Sequence, residues 1–196
     1  SWIAWNYSGF EAKGPWPIFR AVTEHLRGTF RDPRVAAEHS PDHEAIGTIR
    51  AFESLPLFSG RSTLEGIYMQ ASSTAPFVFY TQSEISTASS CPFSDYGCSR
   101  LDLERGVEHL RMFNVSQYIV RSPQAKAAAA RHPGLEKETT VGPYEIWRLK
   151  DNDGRYAVPL ETAPGVVATP DWKATAYRWF KHARPGDPIP VFVKAV

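Results

Sequence analysis

The sequence has few cysteines, almost no net charge and no long apolar run. Two cysteines in 196 residues are too few for a disulfide scaffold or a structural zinc site. With 22 basic and 21 acidic residues, the formal net charge is +1, so the positive field typical of nucleic-acid-binding proteins is missing. No segment approaches the run of about 20 apolar residues that crosses a membrane. We therefore expect no nucleic-acid partner and no transmembrane segment.

Familiar catalytic motifs are also missing. The sequence contains no Walker loop, dinucleotide glycine fingerprint, nucleophile elbow or zincin motif. His39 and His43 are four residues apart, but Pro41 between them prevents an uninterrupted helical face. A chance pair explains them more simply than a metal site, so we predict neither a metal nor a cofactor.

Composition and periodicity favour a mixed α/β domain. Hydrophobic residues make up 42% of the chain and charged residues 22%, close to the averages for globular domains. Apolar spacing predicts helices at 18–26 and 101–114, a shorter one within 43–58, one at 123–130 that begins at Ser122-Pro123, and one at 172–182 capped by Asp171. Strands are expected at 34–38, 67–80 (one or two strands), 118–120, 136–149 (a hairpin) and 156–158.

No linker divides the chain convincingly, so these elements predict one domain with a mixed sheet flanked by helices. Residues 1–30 form an aromatic arm with the first helix, and 31–196 form the α/β part. The sequence begins at Ser1 without Met and stops after an apolar run at 190–193. We interpret it as a domain excised from a larger protein.

Cys91 and Cys98 enclose six residues rich in turn formers. A loop of that length can be bridged if the side-chain geometry suits. The pair therefore predicts a disulfide and an oxidising compartment, although two unrelated buried thiols are the alternative. Neither cysteine has the neighbours of a catalytic thiol.

A charge-poor stretch runs from Gly66 to Ser94, where 29 residues include one charged side chain, Glu84. The average would give about six. One interpretation is a pair of core strands with a hydroxyl-rich loop. The other is a wall that contacts sugar hydroxyls or another domain, with Glu84 as its one fixed charge and Tyr68, Gln70, Tyr80 and Gln82 among its polar groups.

The N-terminal arm holds four residues of the Trp and Tyr types, namely Trp2, Trp5, Tyr7 and Trp16. Such rings stack on sugars and also gather at membrane interfaces. Packing onto the body as core is the plainer alternative.

Five segments together resemble a known family: RVAAE at 34–38, GTIRAFESLP at 47–56, GRSTLEGIYMQ at 60–70, LRMFNVSQYIV at 110–120 and PYEIW at 143–147. They are similar to the C-terminal extracytoplasmic part of bacterial multi-spanning membrane proteins that look like GT-C type glycosyltransferases, some labelled 6-pyruvoyl-tetrahydropterin synthase-related. The resemblance covers roughly residues 30–160. It implies an extracytoplasmic position beside the membrane portion of the same protein. Because the catalytic acid of GT-C enzymes lies in a loop between membrane helices, it also implies that this part is not catalytic.

The leading hypothesis is a non-catalytic domain that binds or positions a glycan or a polyprenyl-linked sugar. Its candidate contacts are Trp5, Tyr7, Arg50, Glu53, Arg61, Glu65, Tyr68, Gln70 and Glu84. Mutual ion pairing that anchors loops is the alternative role for the arginines and glutamates. Two other functions stay open. One is a carbohydrate hydrolase that uses two of Glu53, Glu65, Glu84 and Asp95, and the other is a structural interaction module that braces the membrane portion.

Overall fold

Helices and strands alternate along most of the chain. The computed structural model describes residues 2–66 and 72–193. The helices are α1 (Trp2–Tyr7), α2 (Trp16–His25), α3 (Leu55–Ser59), α4 (Ala75–Glu84), α5 (Leu103–Met112), α6 (Pro123–Arg131) and α7 (Trp172–Phe180). The strands are β1 (Arg34–Ala37), β2 (Val115–Val120), β3 (Leu135–Val141), β4 (Tyr144–Leu149), β5 (Gly165–Ala168) and β6 (Pro190–Val193). Two short 3-10 helices, Pro41–Ile46 and Ala51–Ser54, precede α3.

The main sheet has four strands in the order β1-β2-β4-β3. Strands β1 and β2 are parallel, with Ala36 opposite Tyr118. Strand β4 is antiparallel to both β2 and β3. The sheet is therefore mixed, and the predicted α/β class is confirmed.

Helices cover both faces of this sheet, which produces three layers. Side chains alternate across β2, so Tyr118 and Val120 face one core and Ile119 faces the other. The first core includes Val107 of α5 and Ala125 of α6. The second core includes Phe19 and Val22 of α2 and its C-cap residue Leu26. The helix of the predicted N-terminal arm therefore packs in the body of the domain.

Several local predictions are confirmed because their signals lie within the elements themselves. Helix α5 carries its apolar stripe, and Asp102 accepts a hydrogen bond from the Arg105 N–H as its N-cap. Ser122 and Asp171 cap α6 and α7 in the same way. The hairpin also forms, with β3 and β4 joined at Gly142, whose φ of 54° lies in the left-handed region.

Three predictions are wrong. The part of 67–80 that the structure describes contains no strand, because residues 75–84 form α4; residues 67–71 lie outside the described part. Residues 156–158 form no strand either, since both edges of the preceding β4 are already paired. The expected helix within 43–58 is split, because Gly47 takes a φ of 133° between the two 3-10 helices.

The C-terminal part forms a second, two-stranded parallel sheet from β5 and β6. The sequence indicated only the apolar run at β6. Within residues 2–66 and 72–193, no helix combines the length and the apolar character that crossing a membrane requires.

Cys91 and Cys98 form the predicted disulfide, with their Cα atoms 6.0 Å apart. The bond closes a largely exposed loop between α4 and α5. It holds that loop against α7, where the Tyr177 hydroxyl donates to the Gly97 carbonyl at 2.9 Å.

Candidate functional site

A polar cleft opens beyond the carboxyl end of β1, the position where open α/β sheets commonly bind ligands. We call it the β1 cleft and define it by its lining residues: Ala37, Glu38, His39, His43, Ile49, Arg50, Phe52, Glu53, Thr63, Leu64, Glu65 and Gln82. The segment after β1, the two 3-10 helices, the chain beside β1 and α4 all contribute. The enclosed volume is about 20 Å³, which is room for about one water-sized group.

Arg50, Glu53 and Glu65 line the cleft together. Arg50 donates from Nε to Glu53 and from a terminal nitrogen to the Gly66 carbonyl at 2.9 Å. The carboxyls of Glu53 and Glu65 hydrogen bond to each other. Burial, followed by the charge of Glu53, raises the pKa of Glu65 to about 8. The two acids therefore hold one proton between them near neutral pH.

Two histidines also line the cleft. The ring of His39 lies with Nδ1 2.5 Å from the Ala88 carbonyl. His43 is only 3% exposed and packs edge-on against Phe52, with ring centroids 5.0 Å apart. Burial lowers the pKa of His43 to about 4. His43 is therefore neutral at physiological pH.

Two further lining side chains, Gln82 and Glu38, are held by hydrogen bonds to the backbone. Gln82 of α4 donates from Nε2 to the Ala37 carbonyl at 2.8 Å. The Glu38 carboxylate accepts from the backbone N–H groups of Arg121 and Ser122, at 2.7 and 2.8 Å. Because these bonds join β1 to α4 and to the start of α6, the cleft has a rigid base.

Three polar atoms lining the cleft are buried without a hydrogen-bond partner: Nε2 of His39, Nε2 of His43 and Oε1 of Glu65. Buried polar atoms are rarely left unpaired, because each costs about 1–3 kcal/mol. Three in one cleft point to a ligand or an ordered water. Among the described residues, no group of three or more acidic, histidine or cysteine side chains is arranged to hold a metal ion.

The structure brings some of the predicted contact residues together and separates others. Arg50, Glu53 and Glu65 meet in the β1 cleft, so the alternative of mutual ion pairing also holds for Arg50 and Glu53. Tyr68 and Gln70 lie outside the described residues. Asp95 is exposed in the loop that the disulfide closes.

Arg61 and Glu84 are buried in the fold away from this cleft. Arg61 is 6% exposed and donates to Ser116 and Gln117 of β2 at 3.0 and 2.9 Å. Glu84 is 1% exposed, and its Oε2 lies 2.5 Å from Nδ1 of His109. Both side chains make their polar contacts within the protein itself.

The aromatic arm borders a second, shallower cavity of about 240 Å³, lined by Trp5, Asn6, Gly9, Phe10, Lys13 and Gly47. The Lys13 ammonium lies 4.1 Å from the centre of the Trp5 ring. Tyr7 is 86% exposed on α1. Gly47 borders this cavity and Arg50 borders the β1 cleft, so one short segment contributes to both.

Sequence reasoning assigned no ligand-binding role to His39 or His43, and it named Gln82 only among the polar groups of the charge-poor stretch. The histidine spacing was visible, but Pro41 argued against a shared helical face. The structure agrees that they share no α-helix, and it brings them to one cleft through the 3-10 helix Pro41–Ile46. The polar character of Gln82 in a charge-poor stretch was the only signal for its position.

A family model described as "Domain of unknown function (DUF8559)" matches residues 18–161. This range contains every residue of the β1 cleft. No curated protein and no solved structure matches the chain.

Proposed function

The chain belongs to the family of the domain of unknown function DUF8559, and from the geometry of its cleft we propose that it is a non-catalytic, carbohydrate-binding domain. The observation that carries this proposal is the set of three unpartnered polar atoms lining the β1 cleft. A sugar offers hydroxyl groups that satisfy such atoms, and its ring would lie over the mouth of the cleft. One polar substituent of the sugar would enter the enclosed part, whose volume is about 20 Å³.

The Trp5 cavity supports an extended ligand. Aromatic rings supply the apolar surface on which sugar rings stack, and Trp5 is 38% exposed. Because Gly47 and Arg50 border the two cavities, an oligosaccharide could follow the segment between them. Trp5 and Arg50 are then the outer contacts of the proposed site.

The carboxyl geometry favours binding over hydrolysis. Retaining glycosidases hold their two carboxyls about 5–5.5 Å apart, and inverting enzymes hold them further apart. Glu53 and Glu65 are in direct hydrogen-bond contact, which leaves no room for a sugar or a water between them. Glu84 is enclosed by the fold, so it cannot be their partner in catalysis.

An extracytoplasmic position is part of the proposal. The disulfide between Cys91 and Cys98 suits an oxidising compartment. The resemblance to membrane glycosyltransferases suggests that the sugar is part of a glycan or a polyprenyl-linked donor. In this proposal, the membrane portion of the same protein performs the transfer and this domain positions the sugar.

A substitution at His43 tests the proposal. Phenylalanine keeps the ring packing against Phe52 but removes the unpartnered nitrogen. We expect H43F to unfold with a nearly unchanged free energy, because the loss of the unsatisfied nitrogen offsets the loss of the ring's hydrogen bond to the Ile49 carbonyl, and to bind sugar about tenfold more weakly. Urea unfolding measures the first effect. A glycan array, followed by calorimetric titration of the best oligosaccharide, measures the second.

His132 provides a matched control for this test. It is also buried, but its Nδ1 accepts a hydrogen bond from the Gly134 N–H at 3.0 Å. H132F is therefore expected to lose stability and to keep full sugar affinity. If no oligosaccharide on the array binds the wild-type protein, carbohydrate binding is ruled out as the function.

A docking role is a second candidate, favoured by the exposure of α1. None of its six residues is buried, and Trp2 and Tyr7 are 78% and 86% exposed. A helix this short is marginal in water by itself. An apolar partner that covers these rings would stabilise it, and the resemblance suggests the membrane portion of the same protein.

Neutral phospholipid vesicles provide an apolar probe of this surface. We expect the tryptophan emission of the protein to shift to shorter wavelength on vesicle addition, and the shift to be lost in a W2S/Y7S variant. The exposed pair V166S/V191S in the C-terminal sheet is the control. An unchanged emission spectrum for the wild-type protein would argue against docking through α1.

A further inference from the structure

The unpartnered atoms of the β1 cleft are all hydrogen-bond acceptors. Nδ1 of His39 lies 2.5 Å from the Ala88 carbonyl, and a carbonyl can only accept. Nδ1 therefore carries a proton, which in a neutral imidazole leaves a lone pair on Nε2. That lone pair is buried and unused.

His43 also presents a hydrogen-bond acceptor at Nε2. Burial is the larger influence and lowers the pKa of the ring, whereas a hydrogen bond from the ring to the Ile49 carbonyl raises it. Because Nε2 has no partner, we assign this N–H to Nδ1. Nε2 is then the second buried acceptor. The side chain is 3% exposed, so bulk water does not satisfy it.

Glu65 supplies the third acceptor. It hydrogen bonds to Glu53, which is already paired with Arg50. Arg50 favours the ionised form of Glu53, so the shared proton resides on Glu65. Since Oε1 of Glu65 has no partner, Oε2 carries that proton toward Glu53, and Oε1 is a free carbonyl-type acceptor.

Three acceptors around a water-sized space require a group with several donors. A hydroxyl donates one hydrogen bond, whereas a primary ammonium donates three. We infer that the β1 cleft binds the protonated primary amine of an amino sugar, whose three N–H groups meet Glu65, His39 and His43. This inference rests on the carbohydrate-binding role proposed above and specifies its substrate class.

Charge balance supports a cation in this position. Beside the Glu38 carboxylate, the cleft without a ligand holds one positive charge on Arg50, one negative charge on Glu53 and a neutral Glu65. When the ammonium enters, the Glu65 carboxyl releases its proton to solvent and becomes a carboxylate. The ligand's charge replaces the proton, no covalent bond changes, and the net charge of the cleft stays the same.

This exchange makes binding depend on pH. The charged groups that influence the pKa values of Glu53 and Glu65 are Arg50 and His39. Those that influence the pKa of His43 are Glu38, His39 and Arg121. Below about pH 8, Glu65 must lose a proton for the amine to bind. The affinity is therefore expected to fall about tenfold when the pH drops from 7 to 6, as linkage to one proton requires.

Calorimetric titration of the wild-type protein with glucosamine, glucose and N-acetylglucosamine tests the inference. We expect glucosamine to bind at least tenfold more tightly than the two neutral sugars at pH 7. Titration in two buffers with different ionisation enthalpies should show release of about one proton per glucosamine. Equal affinity for the three sugars, or binding without proton release, would overturn the amine inference and leave the carbohydrate proposal intact.

Glu65→Gln separates the proton exchange from the fold. The glutamine amide reproduces the protonated acid, because it donates to Glu53 and keeps Oε1 as an acceptor. We expect E65Q to fold normally, to lose its preference for glucosamine and to release no proton. The exposed Glu44 gives the control E44Q, which should keep both properties.

If methylamine binds and no sugar does, the carbohydrate proposal fails while amine recognition by the cleft stands. If none of these ligands binds, both proposals are overturned.

Discussion

Replacing His109 with alanine is expected to lower the free energy of unfolding by about 3–5 kcal/mol, because it leaves the buried Glu84 carboxyl without its partner. Nδ1 of His109 lies 2.5 Å from Oε2 of Glu84, and Nε2 donates to the Phe180 carbonyl at 2.8 Å. His109 is fully buried. The imidazole therefore joins α4, α5 and α7.

The close approach of α4 and α5 depends on Gly106. A Cβ atom at this position would lie 2.7 Å from Cγ2 of Ile85 and 3.3 Å from Cβ of Glu84. The helices therefore lie too close for water to enter beside the pair. Because of this packing, we expect the stability cost of His109→Ala to lie in the upper part of the range of about 3–5 kcal/mol.

The effect of His109→Ala should grow with pH. Burial raises the pKa of Glu84, and the hydrogen bond from His109 is the largest opposing influence. Without His109 the folded-state pKa rises further, so the folded variant holds a proton that the unfolded chain has lost. Its stability falls as the pH rises from the unfolded value of about 4.3 through the folded value. Urea unfolding at pH 5 and pH 7.5 measures this difference.

Two further variants test the assignment. Glu84→Gln keeps a hydrogen-bonding partner for His109 and should cost less than half as much as His109→Ala. The double variant E84L/H109L replaces both polar groups by apolar ones, which is often far less costly than breaking the pair. A double variant no more stable than His109→Ala would contradict the role of the unpaired carboxyl.

Glu38→Ala is expected to cost about 3–5 kcal/mol, because it leaves the backbone donors of two half-buried residues and the Thr87 hydroxyl without their acceptor. Glu38 is 1% exposed. Its Oε2 accepts from the N–H groups of Arg121 and Ser122, and its Oε1 accepts from the Thr87 hydroxyl at 3.1 Å. The carboxylate thus ties the end of β1 to the start of α6.

Hydrogen exchange localises this effect. In Glu38→Ala, the amides of Arg121 and Ser122 should exchange much faster. The exchange rates of amides in the β3–β4 hairpin should change only as far as the global stability changes. Glu38→Gln retains one carbonyl acceptor and should lose about 1–2 kcal/mol. Unchanged protection of the two amides in the alanine variant would show that Glu38 is not their essential acceptor.

The clearest success of sequence reasoning lies in elements whose signals are local. The apolar stripe of α5, its Asp102 cap and the basic residues in its last turn all lie within residues 102–112. The Ser122-Pro123 start of α6 requires only two neighbouring residues. The disulfide could be predicted for the same reason, because Cys91 and Cys98 are only seven residues apart in the sequence.

Helix α4 shows why the sequence predicts a strand where the charge-poor stretch forms a helix. Its aromatic and β-branched residues Phe77, Val78 and Phe79 are typical of strands. Residues 81–86 are all buried, because neighbouring elements surround the end of this helix. A helix buried on all sides has no amphipathic period, so its pattern could not be distinguished from that of a buried strand.

The sequence by itself determined the α/β class, the capped helices, the hairpin and the disulfide, since each depends on periodicity or on residues close in the chain. It also placed Arg50, Glu53 and Glu65 among the candidate contacts. Only the tertiary structure decided that Glu53 and Glu65 share a proton and that His39 and His43 line the same cleft. Their positions depend on how the segment after β1 packs against α4 and the 3-10 helices. Contacts of this kind leave no regular spacing in the sequence.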